Sequence, residues 1–312
     1  MPLIKKISAL SKNDIASAGG KGASLGEMTR AGFPIPPGFV ILASVFDSFL
    51  EQTDLNVEVE SELKKADPKK THTIDDASEV LRSLIGKYPM PQVIEKEIAI
   101  AFNKLKARYV AVRSSATAED SRVASWAGEL ESYLGIQKKE LIDAVKKCWS
   151  SLFTPRAIFY RIEKKLNGKK VSVAVVIQKM VESEVAGVCF TVHPVTGDRN
   201  QMVIEASWGL GEAVVGGKVT PDCYVVDKQK MKIIDITVNE QLIEIKRIGE
   251  KTKEIKVSPS RASKQCLPLP KILELAQICK KIETHYGFPC DIEWAIEKGK
   301  VYIVQSRPIT TL

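Results

Sequence analysis

The sequence predicts an α+β protein with a helix-rich first half and a sheet-rich second half. From about Ser44 to Leu105 the residues follow helical spacing, whereas short apolar segments after Val171 are separated by turn residues. A chain of 312 residues is long enough for two hydrophobic cores. We therefore expect an N-terminal lobe over residues 1–170 and a C-terminal lobe with an antiparallel sheet over residues 171–312.

The composition favours a folded protein of the cytoplasm. Hydrophobic residues make up 44% and charged residues 27% of the chain, as in ordinary globular proteins. The apolar runs are too short to cross a bilayer, and the N-terminus lacks a secretory pattern. The six cysteines form no C-x-x-C pair, which favours reduced thiols over disulfides or a zinc site. We expect a cytoplasmic protein with no membrane partner.

The net charge of +8 does not indicate a nucleic-acid partner. Lysine doublets are spread over the whole length, and no block of five or six like charges occurs. No aromatic residues alternate with the basic ones as stacking platforms for bases. A solvated basic surface is the expected reading of this pattern.

The first half contains several helix signals. The spacing predicts a helix over Lys21–Arg30 that stops at Gly32, and a helical region that begins with Ser44 as its N-cap. Residues 66–76 are expected to be an exposed connection, and Tyr109–Val112 a buried strand.

The second half is punctuated by caps and turns. Thr154 is expected to cap a helix with Pro155 at its first position, and Asn167-Gly168 to close it. A later amphipathic helix stops at Gly287. Strands are expected over residues 171–180, 184–192, 201–208, 222–238 and 241–248, and a hairpin over residues 290–308.

The segment AGGKGASLGEM is a candidate phosphate site. Its glycines expose backbone N–H groups at the start of a helix, where negative charge is favoured. Lys21 would add a mobile positive charge. The segment is not a P-loop, because Gly22 follows the lysine. A tight turn with an exposed lysine explains the same residues equally well.

The segment VAVRSSATAED places Arg113 at the end of the predicted strand. A guanidinium there can hold two phosphate oxygens, and Ser114, Ser115 and Thr117 offer hydroxyl donors. Further on, Gly128 lies in a predicted turn whose backbone N–H groups can approach a phosphate chain. The alternative is an ion pair between Arg113 and a carboxylate of the same loop, either Glu119 or Asp120.

A third candidate lies where a strand ends at Gln178. Lys179, Met180 and Val181 form the expected link to the next strand, and such a link offers backbone C=O and N–H groups to a purine. Glu182 follows, where it can accept hydrogen bonds from ribose hydroxyls. The alternative is an ordinary connection between strands.

For two further motifs, a structural role explains the residues at least as well as a functional role. The segment IEASWGLGEAVVGGKVTPD carries Glu205 and Glu212 in an expected glycine-rich loop, which closes over a ligand or is simply a mobile surface loop. His193 precedes Pro194 and a Thr-Gly turn, so we expect a structural role rather than a nucleophilic one.

The terminal hairpin is the most specific local signal. A turn centred on Gly299 sets Glu293 opposite Gln305 and Asp291 near Arg307, with all four side chains on one face. Two carboxylates and an amide oxygen suit a hard cation such as Mg²⁺ completed by nucleotide phosphates. The alternative is a solvated polar face.

Taken in order, six motifs resemble the N-terminal nucleotide-binding domain of the phosphoenolpyruvate synthase (pyruvate, water dikinase) and pyruvate, phosphate dikinase family. They extend from Gly19 to Ile309 and are GGKGASLGEM…GFPIPPGFVI, AVRSSATAED…ASWAGELESYL, SLFTPRAIFYR, VIQKMVESEVAGVCFTVHPVTGD, IEASWGLGEAVVGGKVTPD and DIEWAIEKGKVYIVQSRPI. The resemblance implies an ATP-grasp fold of two lobes with ATP held between them.

The resemblance also implies roles for the candidate residues. Lys21 and Arg113 would contact ATP phosphates, with Arg307 beside the transferred group. The adenosine, phosphate and metal contacts would come from Gly128, Gln178, Lys179, Met180, Val181, Glu182, Asp291, Glu293 and Gln305. Of these, Glu293 and Gln305 would hold Mg²⁺.

By the same resemblance, the chain is the ATP-dependent part of a dikinase that releases AMP. The terminal pyrophosphoryl group of ATP passes to a histidine on another domain or subunit, and a pyruvate- or phosphoenolpyruvate-binding domain is also supplied elsewhere. Where family members have a glutamine-rich FAGQQ-like segment this chain reads SRVASWAGELES, which leaves the acceptor open. The alternatives are a subunit of a split enzyme such as phenylphosphate synthase, the ATP domain of a rifampicin phosphotransferase, and a non-catalytic ATP-sensing module.

Overall fold

The computed structural model describes residues 2–117, 131–164, 166 and 171–310. The helices are α1 Ile15–Arg30, α2 Ala43–Gln52, α3 Leu55–Lys65, α4 Thr71–Lys87, α5 Gln92–Leu105, α6 Leu141–Ser150, α7 Pro155–Glu163, α8 Glu212–Val215, α9 Pro259–Ala262 and α10 Leu269–Tyr286. The strands are β1 Ile4–Lys6, β2 Gly38–Ile41, β3 Val110–Ala116, β4 Ser132–Ile136, β5 Val173–Lys179, β6 Val185–Phe190, β7 Gln201–Trp208, β8 Asp222–Asp227, β9 Lys232–Thr237, β10 Ile243–Ile248, β11 Lys251–Lys256, β12 Cys290–Glu297 and β13 Lys300–Pro308. The predicted mixture of helices and strands is therefore confirmed.

The chain forms two compact units that are not continuous in sequence. The first contains Met1–Glu27 and Pro37–Met180, and the second contains Met28–Pro36 and Val181–Leu312. The boundary lies ten residues beyond the expected one at residue 170, because β5 belongs to the first unit. This strand is buried from Val173 to Gln178 and pairs with β2 on one side and β3 on the other.

The first unit is an antiparallel five-stranded sheet packed against helices. The strand order is β1-β2-β5-β3-β4. Apolar residues of α2 and α4 to α7 form one core with β2, β3 and β5. At its centre, the Trp149 ring lies 5.6 Å from that of Phe46 and 5.1 Å from that of Phe49. Such buried aromatic contacts dominate the stability of a core.

Three boundaries in the first unit differ from those expected. β3 runs to Ala116 instead of ending near Arg113, since it pairs with β5 over its whole length. Leu42, not Ser44, is the N-cap of α2. The connection before α4 ends at Lys70, because α4 begins at Thr71. Backbone pairing and packing therefore extend elements into polar sequence.

The predicted cap of α7 is confirmed. Thr154 Oγ1 accepts a hydrogen bond from the backbone N–H of Ala157 at 3.2 Å, and Pro155 occupies the first helical position. The helix ends at Glu163, and the expected closing pair, residues 167–168, lies outside the described residues.

The second unit contains the predicted antiparallel sheet. Its six strands follow the order β13-β12-β6-β7-β8-β9. α10 contacts β7, β8 and β12 and stops as predicted at Gly287, which has φ 76°. β10 and β11 form a separate hairpin. β11 was not predicted, because its sequence KTKEIK has no clear apolar alternation.

No helix within the described ranges has both the length and the apolar character needed to span a membrane.

Candidate functional site

In the first unit, Lys21 lies in the helical turn that follows a break in α1. Gly19 has φ 70° and ψ 172°, so the helix restarts directly before the lysine. Lys21 Nζ donates to the backbone carbonyl of Ser114 at 3.1 Å. The predicted placement of the lysine at a helix start is therefore correct, and its ammonium group lies beside β3.

The same turn is bonded to Ser115. The backbone N–H of Gly22 donates to Ser115 Oγ at 3.2 Å, and this hydroxyl donates to the carbonyl of Ala18 at 2.9 Å. A Cβ atom on Gly19 would lie 2.2 Å from Ser115 Oγ. Only a glycine allows α1 to approach β3 this closely. The lysine and arginine motifs, remote in sequence, thus meet within one unit.

Arg113 is buried within β3, where it lies opposite Val176 of β5 and Ser132 of β4. The alternative partners that the sequence suggested for it, Glu119 and Asp120, lie outside the described residues, as does Gly128.

The hydroxyl groups that follow Arg113 already donate to the protein. Ser114 Oγ donates to the carbonyl of Glu131 at 2.5 Å, and Thr117 Oγ1 donates to that of Ser172 at 3.1 Å. Because each hydroxyl has one proton, these bonds leave it without a donor for a phosphate oxygen. The structure therefore favours the lysine and the arginine over the hydroxyls as phosphate-binding groups.

The Glu131 carboxylate accepts hydrogen bonds from two side chains. Arg82 Nη2 donates to both carboxylate oxygens of Glu131, at 3.0 and 3.3 Å, and the Tyr133 hydroxyl donates to the same carboxylate. Burial, together with this contact and the nearby negative charge, raises the pKa of Tyr133.

The predicted adenine-side link starts one residue later than expected. β5 ends at Lys179 rather than Gln178, and the link covers residues 180–184. The backbone N–H of Lys179 donates to the carbonyl of Pro37 at 2.8 Å, and that of Met180 donates to the carbonyl of Tyr109 at 3.1 Å. These two N–H groups are therefore used within the first unit.

The larger segment of the second unit begins within this link, at Val181. Val181 is buried against Ala186 and Ala295. Glu182 accepts a hydrogen bond at 2.6 Å from Nε of Arg247, a residue of β10. Nothing in the sequence indicated this partner, since 65 residues separate the two positions.

The terminal hairpin brings the predicted residues together on two adjacent strands. Glu293 pairs with Gln305, and Asp291 pairs with Arg307, as the sequence predicted. The turn is tighter than expected, since Glu297 pairs with Lys300 across Lys298-Gly299 alone. An irregularity between Glu293 and Trp294 shifts the register by one residue and restores the predicted pairing.

Asp291 and Arg307 form an ion pair. Arg307 Nε and Nη2 lie 2.7 and 2.6 Å from Asp291 Oδ2. Burial raises the pKa of the Asp291 carboxyl group, Arg307 opposes this rise, and the Glu293 carboxylate adds to it. One cation thus lies with two carboxylates on one face of the hairpin.

Glu293 and Gln305 fit a Mg²⁺ ion better than a metal caged by the protein alone. Within the described residues, no group of three or more His, Cys, Asp or Glu side chains is placed to hold a metal. Mg²⁺ usually takes one or two protein ligands and completes its shell with water and phosphate oxygens. A half-buried carboxylate opposite an amide oxygen supplies such a pair.

Glu205 lies in β7, the strand predicted over residues 201–208, and not in the glycine-rich loop that its motif also suggested, and Glu212 starts the short helix α8. Val188 of β6 pairs with Glu293 on one side and with Glu205 on the other, so both carboxylates lie on the same face of the sheet. Burial and the charge of Asp291 raise the pKa of Glu205. The sequence did not reveal this neighbour of the hairpin, because strand order is a tertiary property.

The structural role expected for His193 agrees with its contacts. Its Nδ1 accepts hydrogen bonds from the backbone N–H groups of Val195 and Thr196, both at 3.3 Å. A ring nitrogen that accepts two backbone bonds stabilises the turn that follows it.

The chain is similar in sequence to proteins of one known family. Residues 15–312 match the sequence family described as "Pyruvate phosphate dikinase, AMP/ATP-binding domain". A probable phosphoenolpyruvate synthase of Archaeoglobus fulgidus is 48% identical over 307 residues, which cover 96% of this chain and 41% of that protein. A probable phosphoenolpyruvate synthase of Methanothermobacter thermautotrophicus is 46% identical over 310 residues, covering 97% and 45% respectively.

A phosphoenolpyruvate synthase of Pyrococcus furiosus is 43% identical over 357 residues, which cover 99% of this chain and 44% of that protein. The chain thus spans less than half the length of these relatives.

Proposed function

The chain belongs to the family of the pyruvate phosphate dikinase AMP/ATP-binding domain, and from this premise we propose that it binds ATP with Mg²⁺ and donates the phosphoryl group in a phosphoenolpyruvate synthase-like dikinase. The ATP-grasp arrangement implied by the motifs is part of this proposal. The observation that carries it is the hairpin that sets Glu293 opposite Gln305 and Asp291 opposite Arg307.

The proposed reaction moves the terminal pyrophosphoryl group of ATP to a histidine and releases AMP. The bond between the α- and β-phosphates breaks, and a bond between the β-phosphorus and the histidine nitrogen forms. In this proposal the histidine belongs to another domain or subunit. The domain that binds pyruvate or phosphoenolpyruvate is likewise supplied elsewhere. The contribution of this chain is to hold the nucleotide and to stabilise charge during the transfer.

Lys21 and Arg113 are the proposed phosphate-binding groups of the first unit. Lys21 lies in the first turn after the break in α1, where both the lysine charge and the helix terminus favour an anion. Arg113 adds a planar guanidinium that can bind two phosphate oxygens at once. Both positive charges would offset the negative charge of the triphosphate.

In the second unit, Glu293 and Gln305 are the proposed Mg²⁺ ligands, and Arg307 is the proposed cation beside the transferred group. Mg²⁺, when bound, neutralises charge on the phosphates. Asp291 fixes the guanidinium of Arg307 through their ion pair.

The adenosine side of the proposed site involves Gln178 to Val181 and Glu182. Met180 and Val181 are buried apolar residues suited to one face of a purine, and the carbonyl groups of the link suit its amino edge. Glu182 is the proposed acceptor for ribose hydroxyls. Gly128 retains its expected role as a backbone contact to phosphate.

Calorimetric titration of the chain with ATP at saturating Mg²⁺ tests the phosphate contacts. Lys21→Met should weaken ATP binding about tenfold or more, because a hydrogen bond to a charged group is lost. The matched control, Lys64→Met, removes an exposed lysine of α3 and should leave the affinity unchanged. Equal affinities of both variants and the wild type would refute the assignment of Lys21.

A magnesium titration tests the metal ligands separately. Glu293→Gln should raise the Mg²⁺ concentration needed for ATP binding, because a neutral amide replaces the only carboxylate of the proposed ligand pair. Glu297→Gln, on the same strand next to the turn, should keep the wild-type requirement. A wild-type requirement in Glu293→Gln would contradict the proposed metal site.

A reconstituted reaction separates catalysis from sensing. With the histidine-bearing partner added, phosphorus NMR should detect AMP as ATP is consumed. Binding of ATP without AMP under these conditions would favour the non-catalytic ATP-sensing module.

A further inference from the structure

The β10–β11 hairpin reaches the acidic residue that the proposed function assigns to the ribose. Arg247 on β10 donates through Nε to Glu182 Oε1 at 2.6 Å. Its Nη1 donates to the carbonyl of Gly249, in the turn of the same hairpin, also at 2.6 Å. The guanidinium is thus bonded both to its own hairpin and to Glu182.

The base of this hairpin is fixed to the segment that follows Glu182. The backbone N–H of Leu210 donates to the carbonyl of Ile245 at 2.8 Å. The backbone N–H of Gly209 donates to the carbonyl of Glu184 at 2.9 Å, and Ser183 Oγ donates back to the carbonyl of Gly209 at 2.9 Å. The turn after β7 is therefore hydrogen-bonded both to β10 and to the segment that contains Ser183 and Glu184.

Close packing makes this junction specific. Gly209 has φ 79°, and a Cβ atom there would lie 2.4 Å from the carbonyl oxygen of Ile245. No other residue allows the turn to approach β10 this closely. Arg247 consequently extends from a fixed base rather than from a free loop.

The ion pair contributes little to the stability of the fold. The side chains of Arg247 and Glu182 are 21% and 32% exposed, and pairs exposed to this degree typically add less than about 1 kcal/mol. The contact instead determines the orientation of the Glu182 carboxylate, because Arg247 holds one of its two oxygens in place.

We propose that Arg247 is a positioning residue that makes the site selective for ribonucleoside over 2′-deoxyribonucleoside triphosphates. The inference rests on the proposed ATP-binding function. Arg247 engages Oε1 of Glu182, and the lone pairs of Oε2 accept hydrogen bonds from the ribose hydroxyls. A site built to bond a hydroxyl rejects an analogue that lacks it, because its own polar group loses a partner.

Arginine suits this role better than lysine. Nε and Nη1 belong to one planar group, so bonding the Gly249 carbonyl with one fixes the direction of the other. An ammonium group would preserve the charge without this coupling. A lysine at position 247 should therefore restore only part of the selectivity.

The test compares calorimetric titrations of ATP and 2′-deoxy-ATP at saturating Mg²⁺. The wild type should prefer ATP about tenfold or more, as expected for loss of a hydrogen bond to a charged acceptor. Arg247→Gln and Glu182→Gln should lose most of this preference through weaker ATP binding, while 2′-deoxy-ATP binding changes little. The preference of Arg247→Lys for ATP should lie between that of the wild type and that of Arg247→Gln. The double variant Glu182→Gln/Arg247→Gln should bind ATP no more weakly than either single variant.

The matched control is Lys218→Gln. Lys218 forms an ion pair at 3.2 Å with Glu254, on β11 of the same hairpin, and so tests the loss of a cation whose partner is not Glu182. This variant should keep the wild-type preference for ATP. Circular dichroism and chemical unfolding of each variant check that the fold is retained.

Two results would overturn the inference in distinguishable ways. If Arg247→Gln weakened ATP and 2′-deoxy-ATP equally, or left the preference intact, Arg247 would not position Glu182, although ATP binding by the wild type would stand. If the wild type bound neither nucleotide, the proposed function itself would fail, and the inference with it.

Discussion

Replacing Gly19 with alanine should be among the most damaging single changes to the first unit. The residue has φ 70° and ψ 172°, a conformation that is essentially restricted to glycine and costs other residues about 1–3 kcal/mol. The new Cβ atom would lie 2.2 Å from Ser115 Oγ and 2.3 Å from the Ser115 carbonyl oxygen. Overpacking of this kind adds about 1–3 kcal/mol.

The two contributions together predict a loss of roughly 2–6 kcal/mol in the free energy of unfolding. ATP affinity should also fall, because α1 must move away from β3 and carry Lys21 with it. Guanidinium unfolding followed by circular dichroism measures the first effect, and calorimetry on the folded variant measures the second.

Gly32→Ala is the control that separates backbone strain from collision. Gly32 has φ 82°, but a Cβ atom there would meet nothing within 4 Å. Its cost should be limited to about 1–2 kcal/mol from the left-handed backbone, with no change in ATP affinity. If Gly19→Ala were as mild as Gly32→Ala in both measurements, the close contact between α1 and Ser115 would be refuted.

Three other predictions concern stability. Gly86 lies within α4, and a methyl group added there would have open space around it. Gly86→Ala should therefore stabilise the protein by about 0.5–1 kcal/mol in chemical unfolding; a loss of stability would contradict the open space around this position. Lys228→Met removes the ammonium group that bonds the Glu283 carboxylate at 2.8 Å and the Thr191 carbonyl at 2.6 Å and should cost about 1–3 kcal/mol. Also changing Glu283 to Leu should recover part of the loss, because no carboxylate is then left without its cation; an unrecovered double variant would contradict the pairing. Burial raises the pKa of Asp14, but the hydrogen bonds from Lys5 and from the backbone and hydroxyl groups of Ser11, together with the positive charge of Lys5, outweigh this rise, and the net pKa is lowered. Its stabilising effect should therefore be present above a pH of about 4 and be lost as the pH falls further, and Asp14→Asn should remove this dependence in unfolding measured against pH.

The sequence predicted the hairpin residues correctly through two compensating differences. A turn centred on Gly299 and a regular ladder give the pairing of Glu293 with Gln305. The structure has a shorter turn at Lys298-Gly299 and an irregularity next to Trp294 that shifts the register back. Such an irregularity depends on packing against neighbouring strands, so the sequence of the hairpin does not specify it.

Local sequence signals predicted where individual helices end, but not which distant residues those elements contact. Thr154-Pro155 and Gly287 marked helix ends because caps act within a few residues. The contact of Lys21 with the Ser114 carbonyl joins positions 93 residues apart, and no local pattern encodes such a pair. The extension of β3 beyond Arg113 likewise depends on β5 as its partner.

The most direct test of the proposed function is calorimetric titration of the chain with ATP, with and without Mg²⁺, followed by phosphorus NMR of the same sample. We expect magnesium-dependent binding of ATP that is weakened by Lys21→Met and Glu293→Gln, without AMP until a histidine-bearing partner is added. Absence of ATP binding at any Mg²⁺ concentration, or binding that neither substitution affects, would refute the proposed ATP site.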